Sequence, residues 1–410
     1  MTRTMTSNKT AATFETGHEP TLACPNCASV GIDTFYGVSD IPVHSCLLMP
    51  TREAALEYPR GDLKLGFCRQ CGFVFNTLFR PEVHEYSTAY EETQGFSPTF
   101  NAFARTLAAD VIKKHDLHHK TILEIGCGKG EFLVLLCQLA NNHGIGIDPG
   151  YVPQRTPPEV APRIEFIQDF YGPKYAHLMA DFICCRHTLE HIAPTLEFMQ
   201  SIRKTIGDHK DTVIFFELPD VYRVLTEGAF WDIYYEHCTY FSLGSLARLF
   251  RQTGFEVTEL EAVYDKQYLL LTAIPADGPT EASLAEEDDL AEMSRSVEAF
   301  PGIVQKSILG WRKFVDDAVA RGEKVVLWGS GSKGVSFLST LALGDTIEYV
   351  VDINPYRQGH FMPSTGQEII APETLKDYQP DHVIVMNPIY CDEIQADLDR
   401  LGVSAKICAV

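Results

Sequence analysis

No uninterrupted apolar run in this chain approaches the roughly 18 to 20 residues needed to span a membrane. The N-terminus is polar and lacks the basic-then-apolar order of an export signal. Both absences lead us to expect a cytoplasmic protein with no membrane partner. Positive charge is also scarce: 34 Lys and Arg stand against 55 Asp and Glu, a formal charge of −21 over 410 residues. Proteins that follow a phosphate backbone need Lys and Arg clustered on one face, so this balance argues against a nucleic-acid binder while leaving room for a local basic patch. What the chain does have is apolar surface. Hydrophobic residues make up 45% and aromatics 11%, which excludes global disorder, and the length suggests several domains rather than one core.

Three folded units fit the pattern. Residues 1–20 are polar and aperiodic and read as a flexible tail. Residues 21–85 are rich in turns and carry cysteine pairs at both ends. Residues 86–275 begin with a helical stretch, marked by Phe100, Phe103, Leu107 and Val111, and continue as strand-like runs alternating with helical ones. That alternation implies a mostly parallel sheet covered by helices. Pro275-Ala-Asp-Gly-Pro279 interrupts it, and residues 276–410 open with an acidic helical segment and end in a second, smaller α/β unit.

Of the twelve cysteines, four form the pairs Cys24-Pro-Asn-Cys27 and Cys68-Arg-Gln-Cys71. Four soft thiolates at such spacing close a tetrahedron around zinc and leave no open coordination position, so the expected zinc is structural. His44, Cys46 and the remaining cysteines are given no role.

The most informative stretch is Thr121-Ile-Leu-Glu-Ile-Gly-Cys-Gly-Lys-Gly-Glu-Phe-Leu133, a strand leading through a glycine turn into a helix. Gly126, Gly128 and Gly130 let the backbone adopt left-handed torsions and lie against a ligand. Gly144-Ile-Gly-Ile-Asp148 closes the next strand, and a carboxylate there is placed to accept two ribose hydroxyls. A ligand-free strand-to-helix turn is the blander alternative, and Asp148 weighs against it. The Glu124-Ile-Gly-Cys-Gly form resembles class I S-adenosylmethionine-dependent methyltransferases, and the cofactor-binding candidates are Glu124, Gly126, Cys127, Gly128, Gly130, Asp148, Asp169, Arg186 and His187.

Two histidine-bearing segments are candidates for proton chemistry. Arg186-His-Thr-Leu-Glu-His191 follows a strand at the ligand-binding edge of the sheet, and Tyr234-Tyr-Glu-His237 sets phenols, a carboxylate and an imidazole side by side. His237 is the expected base, with Glu236 orienting it; His187 is a weaker candidate on the cofactor side. These segments, with the cysteine pairs, Tyr240-Phe-Ser242, Val351-Asp-Ile-Asn-Pro355 and Gln358-Gly359, make the chain resemble the three-domain, zinc-containing sugar C-methyltransferases over nearly everything after residue 20. The resemblance implies a class I methyltransferase core flanked by a small zinc-binding N-terminal domain and a C-terminal Rossmann-like α/β domain. It further implies a small-molecule acceptor, a nucleotide-linked keto-sugar, handled by a monomer or homodimer. On that resemblance His237 is the base, with Tyr234, Glu236, His191 and, less directly, Tyr90 around the sugar. Cys185-Arg186-His187 and Met386-Asn-Pro388 depart from the family pattern, so the reaction carries over better than the substrate. An O- or N-methyltransferase, or a cofactor-binding scaffold without activity, is the alternative. A second glycine loop, Gly329-Ser-Gly-Ser-Lys-Gly334, with Asp352 ending the next strand, fits an anionic substrate handle held by Lys333, a dinucleotide, or plain packing.

Overall fold

The computed structural model describes residues 12–83 and 89–410. Three sheets organise the chain. The central one has seven strands in the order Phe255–Val263, Tyr268–Pro275, Val213–Pro219, Phe182–Arg186, Thr121–Ile125, His143–Ile147, Ile164–Ile167. All are parallel except Tyr268–Pro275, which runs antiparallel to both neighbours. This is the class I methyltransferase Rossmann-like arrangement. The chain enters at Thr121–Ile125, builds outward to Ile164–Ile167, then crosses back to Phe182–Arg186. A crevice therefore opens at the carboxyl ends of the two middle strands, where doubly wound sheets bind ligands.

The local chemistry explains these elements. Thr121–Ile125 buries Ile122, Leu123, Glu124 and Ile125, as expected of a strand covered on both faces. Gly130 takes φ +82° to start the helix Glu131–Ala140, and Asn141 at φ +54° ends it. Pro98–His115 begins with Ser97 accepting from the amide of Phe100 at 3.2 Å and Pro98 at the first turn. It ends with Lys113, Lys114 and His115 at the negative end of the helix dipole.

The C-terminal sheet is wholly parallel, ordered Glu368–Ile370, Tyr349–Val351, Val325–Trp328, His382–Val385, Lys406–Ala409. It repeats the crossover logic, with its own switch point beside Val325–Trp328. The long helix Leu290–Ala320 precedes it.

The N-terminal sheet holds a correction. Of the expected tail, residues 1–11 lie outside the described residues, but Ala12–Thr13 and Gly17–Ala23 are strands paired antiparallel with Val30–Pro42. Gly17–Ala23 is an exposed, polar edge strand; main-chain hydrogen bonds hold it without the apolar alternation that would have revealed it. The far edge of this sheet is Thr239–Tyr240, a segment that lies more than 150 residues later and begins two residues after His237. The N-terminal sheet also shares a core with the C-terminal unit: Phe35, Tyr36 and Leu65 pack in one cluster with Phe300 of the long helix and Val325 and Phe337 beyond it.

Candidate active site

Both switch points open into one cavity of about 1120 Å³, lined by residues of all three sheets' loops. On the central side lies the first glycine loop. Gly126 and Gly128 adopt φ +69° and +53°, and a Cβ on either would collide, with Thr188 at Gly126 and with Glu92 at Gly128. Asp148 accepts from the amide of Gly128 at 2.9 Å and of Gly150 at 2.6 Å. A loop whose backbone is bare toward the cavity, with an acid at its edge, fits an adenosyl cofactor.

The other cofactor-binding candidates divide. Glu124 accepts from the amide of Leu133 at 3.0 Å, tying strand to helix, and burial pushes its carboxyl up to about 8. Cys127 turns its sulfur toward Gly146, beneath the loop. Asp169 stands at the rim, bonded to Lys174 and to the Tyr175 hydroxyl; the Lys174 bond foremost holds it down at about 2. Arg186 lies 4.0 Å over the Phe132 ring and donates to Glu217 at 2.5 Å. His187, at φ +48°, has Nδ1 3.7 Å from Glu190 and Nε2 3.3 Å from Glu217. Burial alone would lower its pKa, but the two carboxylates outweigh it and raise it to about 9. His187 is therefore an imidazolium at neutral pH.

Tyr234, His237, His191 and Tyr90 all line the cavity. The Tyr234 hydroxyl is 3.0 Å from His237 Nε2, and the His191 and His237 rings meet edge-on at 4.8 Å. His191 Nδ1 donates to the carbonyl of Glu236 at 3.1 Å, which leaves Nε2 as the acceptor of the neutral ring. Burial raises the Tyr234 phenol well above its usual range, so it stays protonated.

Glu236 does not do what its neighbour in sequence suggested. Its carboxylate faces away from the cavity, bonded to His44 Nδ1 at 3.0 Å, the Ser45 amide at 3.2 Å and the Ser45 hydroxyl. Burial opposes its charge, yet these partners, His44 first, hold it at about 2. The backbone turn at Tyr234–His237 sends successive side chains in different directions, so adjacency in sequence is not adjacency in space. The carboxylate facing His237 is Glu190, with Oε1 4.0 Å from Nε2. Both Glu190 oxygens are buried and accept no hydrogen bond. Sequence reasoning missed Glu190, although it lies inside the segment already singled out, and missed His44, whose burial against Glu236 has no local signal.

On the C-terminal side, Asp352 accepts from the amide and hydroxyl of Ser330 at 2.9 and 2.5 Å, bracing the second glycine loop. Lys333 reaches Asp232 at 2.7 Å, and the same Asp232 also takes Arg223. Arg357 lies 3.8 Å from Asp352 and 3.3 Å from the Ser330 hydroxyl.

The four cysteines form a separate cluster away from this cavity. Their ligand atoms lie within 4.8 Å of one another, with Cys24–Cys71 and Cys27–Cys68 sulfur separations of 3.7 Å. A tetrahedron of sulfurs about 2.3 Å from zinc has edges of about 3.8 Å, so the four thiols fit the ion.

Comparison with known proteins agrees with this architecture. A methyltransferase domain model matches residues 100–260, and a C-methyltransferase C-terminal domain model matches residues 276–405. C-methyltransferase NovU of Streptomyces niveus is 26% identical over 268 residues, 63% of this chain and 60% of that protein. The match thus spans less than two thirds of the relative's length. Among solved structures, magnesium protoporphyrin IX methyltransferase from Synechocystis PCC 6803 is 15% identical, covering 43% of this chain and 84% of that one at a TM-score of 0.33. PH0226 protein from Pyrococcus horikoshii OT3 is also 15% identical, covering 48% and 99% at a TM-score of 0.35. The chain thus carries a methyltransferase domain followed by a C-methyltransferase C-terminal domain.

Proposed function

We propose that this protein transfers a methyl group from S-adenosylmethionine to a carbon next to a carbonyl, on a small acceptor with an anionic handle such as a nucleotide-linked keto-sugar. One observation carries the reading: a continuous line of contacts joins the two glycine loops through an acid–base cluster. It runs from Gly126 through Thr188 to the adjoining His187, Glu190 and His237, on to Tyr234, and thence by the chain to Asp232 and Lys333.

The cofactor supplies an electrophilic methyl on a sulfonium. Gly126, Gly128 and Asp148 orient it, with Asp169 at the outer rim. Carbon has no lone pair to offer, so the acceptor must first lose a proton, and His237 is the base that takes it. Glu190 balances the imidazolium that forms. Tyr234, kept protonated, donates a hydrogen bond to the oxyanion that develops on the carbonyl, with His191 and Tyr90 shaping the same wall. Lys333, with Arg223 and Arg357 nearby, holds the anionic end.

The test is to incubate protein, labelled cofactor and a panel of keto-sugar nucleotides, and to follow solvent deuterium in the acceptor when S-adenosylhomocysteine replaces the methyl donor. Exchange next to the carbonyl is expected. Methylation on oxygen or nitrogen without exchange overturns the mechanism and favours the rival acceptor chemistry.

The cysteine cluster is assigned a structural zinc. Elemental analysis should find one zinc per chain, and Cys68→Ser should unfold the N-terminal sheet before the central one, followed by hydrogen exchange. A metal-free protein of undiminished stability would sink this assignment.

A further inference from the structure

We propose that Glu92 holds the α-ammonium group of the bound cofactor, so that the segment ahead of the central sheet, not the sheet itself, reads the amino-acid end of the ligand. The inference rests on the cofactor reading above. Tyr90-Glu-Glu-Thr-Gln94 leads from the N-terminal sheet, to which Tyr90 bridges at Leu47, toward the helix Pro98–His115. Its two acids point to different tasks. Glu91 is fully engaged: Arg155 grips it at 3.0 and 2.6 Å and Asn354 donates at 2.9 Å, clamping the segment between the central and C-terminal units.

Glu92 turns instead onto the glycine loop. Its Oε1 stands 2.6 Å from where a Cβ on Gly128 would lie, on the bare face of the loop, and it lines the cavity. Its Oε2 is shielded from solvent and accepts no hydrogen bond. Lys129 forms an ion pair with this oxygen at 3.4 Å, while its ammonium also donates to the carbonyls of Tyr90 at 2.8 Å and Gly150 at 2.7 Å. The side chain as a whole is 31% exposed and lines the cavity, so a ligand there can supply the hydrogen bond that Oε2 lacks beside its ion pair with Lys129. Burial raises the Glu92 carboxyl to about 7 against the pull of Lys129, with Asp148 and Glu91 adding to the rise.

Strand order says which part of the ligand arrives there. Asp148 ends the strand next to Thr121–Ile125, and Asp169 follows the strand beyond it. A ligand with its ribose on Asp148 thus sends its base toward Asp169 and its amino-acid chain back over Gly126 and Gly128, beneath Glu92. The sulfonium has no N–H to donate; the α-ammonium has three, and matches the missing donor.

The experiment compares two ligands by calorimetry: S-adenosylhomocysteine and its analogue lacking only the α-amino group. Wild-type protein should prefer the amine by about 10- to 100-fold, the range of a charge-assisted hydrogen bond. Glu92→Gln should bring that ratio near one, and Glu92→Asp should leave it in between. A wild-type ratio near one, with S-adenosylhomocysteine still bound, overturns the role of Glu92 alone and needs no variant to fold. An unchanged ratio in Glu92→Gln does the same. Failure of the wild type to bind S-adenosylhomocysteine at all removes the cofactor reading, and this inference with it.

Discussion

The two glycine loops are built alike and lined differently. Each follows a buried strand, Thr121–Ile125 or Val325–Trp328, and each is braced by the aspartate that ends the next strand, Asp148 or Asp352. Around the first stand Glu92, Glu131 and Asp148, with Glu124 held toward its neutral form by burial, Lys129 tied to carbonyls and to Glu92, and Arg186 and His187 paired with Glu217. Around the second stand Lys333, Arg357 and Arg223 against Asp232 and Asp352. Acidic walls suit a cationic ligand and basic walls an anionic one, so on the proposed reading one backbone device would serve two ligand charges in a single cavity. The lesson is that the loop provides room, and the side chains arriving from elsewhere choose what occupies it.

The severest test strikes between the loops. His237→Ala should lower methyl transfer by about two to four orders of magnitude, the usual cost of losing a general base, while leaving S-adenosylhomocysteine affinity intact by calorimetry. Near-normal turnover would remove His237 as the base. A crossed pair of variants tests the charge contrast itself. Asp148→Ala should weaken S-adenosylhomocysteine by about 1.5 to 3 kcal/mol and spare a nucleoside diphosphate, whereas Lys333→Gln should do the reverse, by about tenfold. If both variants weaken the same ligand, the two loops do not divide the labour.

Smaller effects separate the two glutamates. Glu190→Gln should slow transfer with little change in the urea midpoint. Glu236→Gln should cost about 1 to 3 kcal/mol of stability, because it leaves His44 and Ser45 poorly matched in the interior; a larger loss of turnover in Glu236→Gln than in Glu190→Gln, at equal folded fraction, would restore Glu236 to the active site. The smallest effect is a pH dependence. His187 is raised from 6.5 to about 9, so its stabilising contribution is fully present below pH 6.5 and is lost as pH rises through about 9. Urea midpoints measured from pH 7 to 10 should fall more steeply in the wild type than in His187→Asn, and parallel curves would show the imidazolium to be unimportant.

How much of this was legible in the sequence follows from how local each feature is. The central strands and three of the five C-terminal ones were readable as short apolar runs, but the C-terminal edge strands Glu368–Ile370 and Lys406–Ala409 were not; Gly126, Gly128, Asp148 and the cysteine pairs were readable because their spacing is the geometry. The strand Gly17–Ala23 was not, since an exposed edge needs only main-chain partners. Nor was the stitching of Thr239–Tyr240 onto the N-terminal sheet, which pairs residues far apart in the chain.

By itself, then, the sequence determined the α/β elements, the two glycine loops, the cysteine tetrad and the set of histidines and tyrosines that could do chemistry. Each depends on torsions, spacing or side-chain type within a few residues. Only the tertiary structure decided which carboxylate meets which base. Glu236 goes to His44, Glu190 to His237 and His187, Glu91 to Arg155 and Glu92 to the Gly128 loop. Those partners arrive from different sheets, and a turn of one residue aims a side chain at a different wall. Charge placement of that kind is a property of the assembled cavity, because Coulombic and hydrogen-bond energies depend on distances that no local pattern encodes.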